Sequence, residues 1–136
     1  MGTYLLDTNA FSALVERHAR VVARAGALGP GDRMVVCTIV RGEILYGLAH
    51  MPHGKRRRQL EARTAKLFAR IPCVGLSEPA ADAYARVKRD CEQKGTPLDE
   101  NDLWIGAAAL ERGAVLVSSD TDFQKVSGLR IEDWTQ

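Results

Sequence analysis

Cysteine and histidine are scarce in this chain of 136 residues, which has three of each. The cysteines, Cys37, Cys73 and Cys91, are odd in number, widely spaced and without a C-x-x-C pair, which excludes a disulfide framework and a zinc knuckle. We expect three unpaired, half-buried thiols in a reducing cytosol. The three histidines share no spacing typical of zinc ligands, so we expect them at the surface.

The sequence also lacks long apolar runs. No stretch approaches the roughly 18 apolar residues that a membrane-spanning helix needs. The first residues, Met1 to Asp7, have no basic region followed by a long apolar one, so we interpret them as a first strand and not as a signal peptide. No repeat, low-complexity tract or linker interrupts the chain, and we expect residues 1–136 to form one cytoplasmic domain.

Hydrophobic residues make up 46% of the chain and charged residues 26%, which is enough apolar content for a core and argues against disorder. The net charge is only +2, but residues 1–70 hold 12 Lys and Arg against 5 Asp and Glu, whereas residues 71–136 hold 7 against 12. The densest basic run is Lys55-Arg56-Arg57-Arg58, continued by Arg63, Lys66 and Arg70. This run fits a solvated helix face and a phosphate-binding face equally well.

Short apolar runs alternate with helical patterns along the chain. We predict strands at Tyr4–Leu6, Met34–Cys37, Cys73–Gly75, Val115–Val117 and Leu129–Ile131. We predict helices from near Ala10, over Ala19–Leu28, from an N-cap at Thr38 to about Ala49, over Lys55–Phe68, from an N-cap at Ser77 to Gly95, and over Asn101–Arg112. This alternation predicts an α/β fold with a mainly parallel sheet of about five strands, covered on both faces.

Four acidic residues fall where such folds place their sites, at the carboxyl ends of strands or early in helices. Asp7 follows the first strand, Asp120 follows the fourth, and Asp102 lies in the first turn of its helix. Each has a structural explanation as a turn or helix-capping residue. Glu43 is harder to explain in this way, because its helical neighbours are apolar or small and a buried, unpaired carboxylate is costly.

If these four acids converge, their mutual repulsion is roughly 4 kcal/mol per pair at about 4 Å. A divalent cation would relieve it, and Mg²⁺ and Mn²⁺ are hard ions that favour carboxylate ligands. A phospho-accepting signalling domain is an alternative, but it would need an acidic pair after the first strand and a lysine after a late one. A haloacid-dehalogenase-type phosphatase would need Asp-x-Asp, where this chain has Asp7-Thr8-Asn9.

The chain resembles the PIN-domain ribonucleases, and among them the VapC toxins of toxin–antitoxin pairs. The resemblance spans nearly the whole chain and rests on Tyr4-Leu5-Leu6-Asp7-Thr8-Asn9, Thr38-x₄-Glu43-Ile44, Asn101-Asp102-x-x-Ile105 with Ala107–Leu110, Val117-Ser118-Ser119-Asp120-Thr121-Asp122-Phe123, and Gly128-Leu129-Arg130-Ile131-Glu132-Asp133-Trp134. It implies a PIN-like three-layer α/β/α sandwich. It also implies hydrolysis of RNA phosphodiester bonds with Mg²⁺ or Mn²⁺.

In this family the acids that match Asp7, Glu43, Asp102 and Asp120 form the catalytic metal site, and Asp122 matches a frequent fifth acid. Supporting roles are implied for Ser118, Thr8 and Asn9. RNA-backbone binding is expected from Lys55, Arg56, Arg57 and Arg58, because an acidic site itself repels phosphates.

The resemblance further implies a homodimer held inactive by a small VapB-like antitoxin. Two alternatives remain, an inactive PIN-like module that binds RNA or protein and a housekeeping nuclease. The chain departs from the family pattern at Gly106, where alanine is usual, and in the acidic segment Leu98-Asp99-Glu100. The extra acids could tune metal affinity or repel some RNAs.

Overall fold

The computed structural model describes residues 2–136. Its five strands are β1 (Thr3–Leu6), β2 (Arg33–Cys37), β3 (Cys73–Val74), β4 (Val115–Val117) and β5 (Ile131–Glu132). Its helices are α1 (Thr8–Val15), α2 (Ala19–Gly26), α3 (Thr38–His50), α4 (Lys55–Arg70), α5 (Glu78–Gln93) and α6 (Glu100–Glu111), with a 3₁₀ helix at Thr121–Lys125. Strand and helix alternate as the sequence predicts, and the α/β fold is confirmed.

The strands form one sheet in the order β3-β2-β1-β4-β5, and every pairing within the described residues is parallel. The sheet is therefore parallel throughout, where the sequence predicted a mainly parallel one. β1 lies at the centre, with Leu5 opposite Val35 of β2 and Leu116 of β4. The chain builds outward from β1 to β2 and β3, then returns to the other side of β1 as β4. This reversal of strand order opens a crevice at the carboxyl ends of β1 and β4.

Burial on both faces of the sheet shows that helices cover each side. Consecutive residues of the central strands, such as Leu5 and Leu6, are inaccessible to solvent although their side chains point to opposite faces. Helices α1 to α4 pack on one another, and α5 packs along α6. The small residues 106–109 of α6 are all buried, as expected for a helix that lies close against its neighbours.

The structure corrects several element ends. Thr38 is the first residue of α3 and not its N-cap, because the chain is still extended at Cys37, with ψ of 167°. α1 begins two residues before Ala10, because Asp7 already caps it. β5 begins at Ile131, later than the predicted Leu129. The Ser77 cap of α5 is confirmed, since its side chain accepts a hydrogen bond from the Ala80 N–H.

The cysteines and histidines bear no special site in the described residues. All three cysteines are free, but they are not uniformly half-buried: Cys37 and Cys91 are buried and Cys73 is exposed. The histidines are exposed as predicted, and His18 accepts a hydrogen bond from the Val21 N–H as the N-cap of α2. None of the helices in residues 2–136 combines the length and the apolar character needed to cross a membrane.

Candidate active site

The predicted acids lie around the crevice at the carboxyl ends of the central strands. Asp7 directly follows β1, and Asp120 lies three residues after the end of β4. Glu43 is carried by α3, which follows β2 without a loop, and Asp102 lies in the first turn of α6. The strand order thus brings together carboxylates that are up to 113 positions apart in the sequence.

Asp7 is the most deeply placed of the four, with only 4% of its surface exposed. Its Oδ1 accepts a hydrogen bond of 2.8 Å from the Ala10 N–H, so it is the N-cap of α1. Burial raises the pKa of the Asp7 carboxyl, and the charges of Asp120 and Glu43 add to that effect, while a hydrogen bond from Ser118 opposes it. Asp7 is therefore both a helix cap and a member of the acidic cluster.

Ser118 connects two of the acids. It is buried at the end of β4, and its side chain bonds to Asp7. The Ser118 Oγ also accepts a hydrogen bond of 3.0 Å from the Asp120 N–H. Asp120 in turn caps the 3₁₀ helix by accepting from the Asp122 N–H at 2.9 Å. One hydroxyl thus fixes the loop after β4 relative to the Asp7 carboxylate.

Glu43 is half-buried and held by two donors from other elements. The Thr8 hydroxyl donates to its Oε1, and the Asn101 side-chain amide donates to its Oε2 at 3.1 Å. Thr8 is among the residues predicted to support the site, whereas Asn101 enters the sequence analysis only as part of the motif that begins Asn101-Asp102 and has no predicted role of its own. Its position next to Asp102 in the first turn of α6 was the available indication.

Asp102 shows most directly that the acids act on one another. Its pKa is raised from 3.8 to about 6, first by burial and then by the charges of Asp99, Asp120, Glu43 and Asp7. All four predicted acids therefore belong to one electrostatic cluster. Asp99, one of the two extra acids, also contributes to it from the N-cap of α6.

The donor chemistry of this cluster fits a hard divalent cation. In the described residues 2–136, no three carboxylate, imidazole or thiol side chains stand close enough to form a complete ligand set. The crevice nevertheless offers carboxylate oxygens without competing sulfur or imidazole, which Mg²⁺ and Mn²⁺ prefer. Burial and, after it, the charges of neighbouring acids raise the pKa of Asp7 and Asp102, so a bound cation would stabilise their ionised forms.

Other residues predicted for the site lie at its margin. Asn9 is exposed, and Asp122 is exposed and paired with Lys125 at 3.3 Å. Glu100, the second extra acid, is bound by the Tyr84 hydroxyl and by Lys88, which lower the pKa of its carboxyl. Its charge is therefore largely engaged outside the cluster.

The predicted RNA-binding run at the start of α4 is partly occupied by structural contacts. The Arg57 guanidinium donates to the Met51 carbonyl at 3.0 Å and pairs with Glu61 at 3.6 Å. Arg56 pairs with Glu16 at 3.3 Å. Lys55 and Arg58 are exposed.

A cavity of about 260 Å³ opens beside the acidic cluster, between α1, α3 and α4. Thr8 and Glu43 form its rim on the side of the cluster, and its walls are mostly apolar: Val15, Ile44, Leu48, Met51 and Leu60. The buried Thr64 Oγ1, which also lines it, has no hydrogen-bond partner within the described part of the chain. On the outer face of α3, Tyr46 is 70% exposed.

Known proteins resemble this chain in sequence, and solved structures resemble it in fold. Ribonuclease VapC1 of Haemophilus influenzae (strain R2866) is 29% identical over 136 residues, with 98% of each chain covered. The tRNA(fMet)-specific endonuclease VapC of Shigella flexneri is 28% identical, covering 99% of this chain and 100% of its own. The solved structure of VapBC-1 from nontypeable Haemophilus influenzae matches with a TM-score of 0.87 and 28% identity, over 98% of this chain and 99% of that chain. The sequence profile of the PIN domain matches residues 4–129, and the chain belongs to the PIN-domain family.

Proposed function

We propose that this protein is a metal-dependent endoribonuclease that acts as the toxin of a VapBC-type toxin–antitoxin pair. The observation that carries the proposal is the electrostatic coupling of Asp7, Glu43, Asp102 and Asp120 at the carboxyl ends of β1 and β4. Burial, and after it the charge of the neighbouring acids, raises the pKa of Asp7 and Asp102, and carboxylates in such a setting are suited to holding a divalent cation. Membership of the PIN-domain family and the ribonuclease names of its relatives support RNA as the substrate.

The proposed role of each site residue follows from the contacts that hold its side chain. Asp7, fixed by its cap bond and by Ser118, and Asp102 are the proposed firmest ligands, and Asp120 and Glu43 complete the set. These carboxylates would hold Mg²⁺ or Mn²⁺, which when bound would supply Lewis acidity toward the phosphate and toward the attacking water. Thr8 and Asn101 keep the Glu43 carboxylate turned toward the cluster through their two hydrogen bonds.

Cleavage of RNA by the purified protein tests the enzymatic part. We expect cleavage with Mg²⁺ or Mn²⁺, silence in EDTA, and recovery when Mn²⁺ is added back. Glu43→Gln should lose most activity. Asp90→Asn should retain it, because the Asp90 carboxylate pairs with Lys94 at the C-terminal end of α5. Chelator-resistant cleavage would contradict the metal mechanism, and a folded wild type without activity on any RNA would favour an inactive binding module.

Transfer RNA is the first substrate class to test, because the Shigella relative is named for a transfer RNA. Mapping the ends of RNAs cut after induction in cells would give the target and the cleavage site together. The protein would meet its RNA and its partner in the cytoplasm, and we propose that it acts there.

The partner proposed for this chain is a small VapB-like antitoxin. Solved relatives are VapBC complexes, and the apolar cavity that begins at Glu43 offers an anchor for aliphatic side chains of a bound segment. An arginine of that segment could balance the charge of the acidic cluster in place of the metal. Growth should stop when the chain is induced alone and resume when the antitoxin is co-expressed. Harmless expression of an active nuclease would favour a housekeeping role.

We also propose that the chain is a homodimer, as its family resemblance implies. Tyr46 and Leu45 expose 70% and 45% of their surfaces on α3, which leaves apolar area for a second copy. Light scattering on the purified chain measures the mass, and a monomer at micromolar concentration would refute this part of the proposal.

A further inference from the structure

Four basic residues surround a groove of about 490 Å³ on the flank of the molecule, away from the acidic cluster. Arg17 lies just after α1, and Arg63, Lys66 and Arg70 lie on the second half of α4. The floor is apolar and is made of Leu14, Val15 and Leu67. Across residues 2–136, no acidic side chain forms an ion pair with any of these four cations.

Three of the cations form a row. Arg63, Lys66 and Arg70 are separated by three and four positions, so they follow one face of α4. With a rise of about 1.5 Å per residue, the row spans roughly 10 Å. Such a row matches a polyanion that carries charges at short, regular intervals, as the phosphates of a nucleic acid strand do.

Arg17 is held in a conformation that favours glycine. It has φ of 60° and is the one residue other than glycine with a positive φ in the described chain. Hydrogen bonds from the Arg17 N–H to the Leu14 carbonyl and from the His18 N–H to the Ala13 carbonyl impose this geometry at the end of α1. An arginine in place of the glycine usual at such a helix end accepts backbone strain. A role for the Arg17 side chain in the groove would explain why arginine and not glycine occupies this strained position.

The densest run of basic residues in the sequence, Lys55 to Arg58, is not the place where the folded chain presents the most unpaired positive charge. In the run Lys55 to Arg58, Arg57 is bound to backbone carbonyls and Glu61, and Arg56 is paired with Glu16. Among the described residues, the side chains of Arg17, Lys66 and Arg70 have no such partner, and Arg63 donates only to the Val15 carbonyl. α1, which joins the acidic cluster to this groove, has eight residues and is about 12 Å long.

We propose that this groove binds backbone phosphates of the RNA that flank the scissile bond. The inference rests on the proposed ribonuclease function, since an acidic centre that repels RNA needs phosphate contacts elsewhere. Guanidinium groups match phosphate oxygens through paired N–H donors, and three of the four cations are arginines.

Salt-dependent binding of a fluorescein-labelled oligouridylate, measured in EDTA to prevent cleavage, tests the groove. The test variant replaces Arg17, Lys66 and Arg70 by Gln and keeps Arg63, whose guanidinium donates to the Val15 carbonyl. The matched control replaces the exposed Arg33, Arg86 and Arg89 by Gln, which removes the same charge elsewhere. The logarithm of the binding constant decreases with the logarithm of the salt concentration, and the steepness of this decrease should be smaller by about 2 in the test variant. Each of the three lost contacts with a single strand accounts for about 0.7 of that difference. The control should keep the wild-type slope.

A single substitution separates binding from folding. Arg17→Gly relieves the positive φ, so its melting temperature should rise, while its affinity for the oligouridylate should fall. If Arg17 had only a structural role, the substitution would change the melting temperature and leave the affinity for the oligouridylate unchanged. Equal slopes in the test and control variants would overturn the proposal. It would also be overturned if the test variant lost binding to poly-L-glutamate but kept its binding to RNA, because the groove would then be a site for an acidic peptide. A wild type that cuts no RNA would refute the proposed function itself.

Discussion

Replacing Asp102 by Asn should make the metal-free protein more stable while it abolishes RNA cleavage. The substitution keeps the size of the side chain and removes a charge that burial and four neighbouring acids disfavour. A pKa of about 6 in place of 3.8 means that the folded protein holds the proton more tightly than the unfolded chain does. The wild type therefore loses stability as the pH rises from about 4 to about 6, and the penalty is fully present above that range.

The size of the effect follows from the same two values. A difference of about two in pKa corresponds to about 3 kcal/mol. Asp102 is partly exposed, and solvent screening reduces this to about 1–2 kcal/mol in the free energy of unfolding. For a chain of this length, the melting temperature of Asp102→Asn should exceed that of the wild type by roughly 3–10 °C at neutral pH.

Thermal unfolding in EDTA at about pH 7.5 and about pH 4 measures the effect, because the advantage of Asp102→Asn should vanish at the lower pH. Asp90→Asn is the control, since Lys94 at 2.9 Å lowers the pKa of Asp90 and its ionised form is the favoured one. It should not gain stability at neutral pH. The electrostatic argument would be refuted if Asp102→Asn were less stable than the wild type, or if its gain in melting temperature were the same at both pH values. Full cleavage activity in Asp102→Asn would refute the site assignment.

Three further substitutions separate catalytic support from structural support. Ser118→Ala removes the bond that opposes the raised pKa of Asp7, so the acidic limb of the pH–rate profile should move to higher pH. Asn101→Leu should lower cleavage roughly 10–100-fold with unchanged circular dichroism, because Glu43 loses a donor. Arg57→Gln should cost about 1 kcal/mol of stability by urea titration, owing to lost hydrogen bonds, while cleavage stays near wild type. An equal loss of stability in the exposed Arg58→Gln would contradict the last prediction.

The fold was predictable because its signals are local. Apolar runs mark the central strands, and glycines and capping residues mark most helix ends, so the order of elements follows from the chain itself. The carboxyl ends of parallel strands then place Asp7 and Asp120 at one edge of the sheet. The errors lie at element ends, as at Thr38, where the turn of the backbone at Cys37 decides the first helical residue.

The supporting contacts of the site could not be predicted in the same way. The bond from Asn101 to Glu43 joins residues 58 positions apart, and its geometry depends on how α6 packs beside α3. The contacts made by a run of charged residues could not be predicted for a similar reason. The sequence shows that Arg56 and Arg57 are basic, but their engagement with Glu16 and with the end of α3 appears only when the helices are packed.

The double duty of Asp7 bears on how such a protein can be inactivated by mutation. Cells that survive induction of a toxin carry changes that remove its activity, and these changes fall into two classes here. Loss of Asp7 removes the cap of α1 as well as a charge from the crevice, so survivors altered there should hold less folded protein than survivors altered at Asp102. Survivors altered at Asp102 should accumulate folded, inactive chain that still binds the antitoxin. Such inactive chains would bind part of the antitoxin. In a cell that also makes the intact toxin, less antitoxin would then remain to inhibit it, and the intact toxin would do more harm.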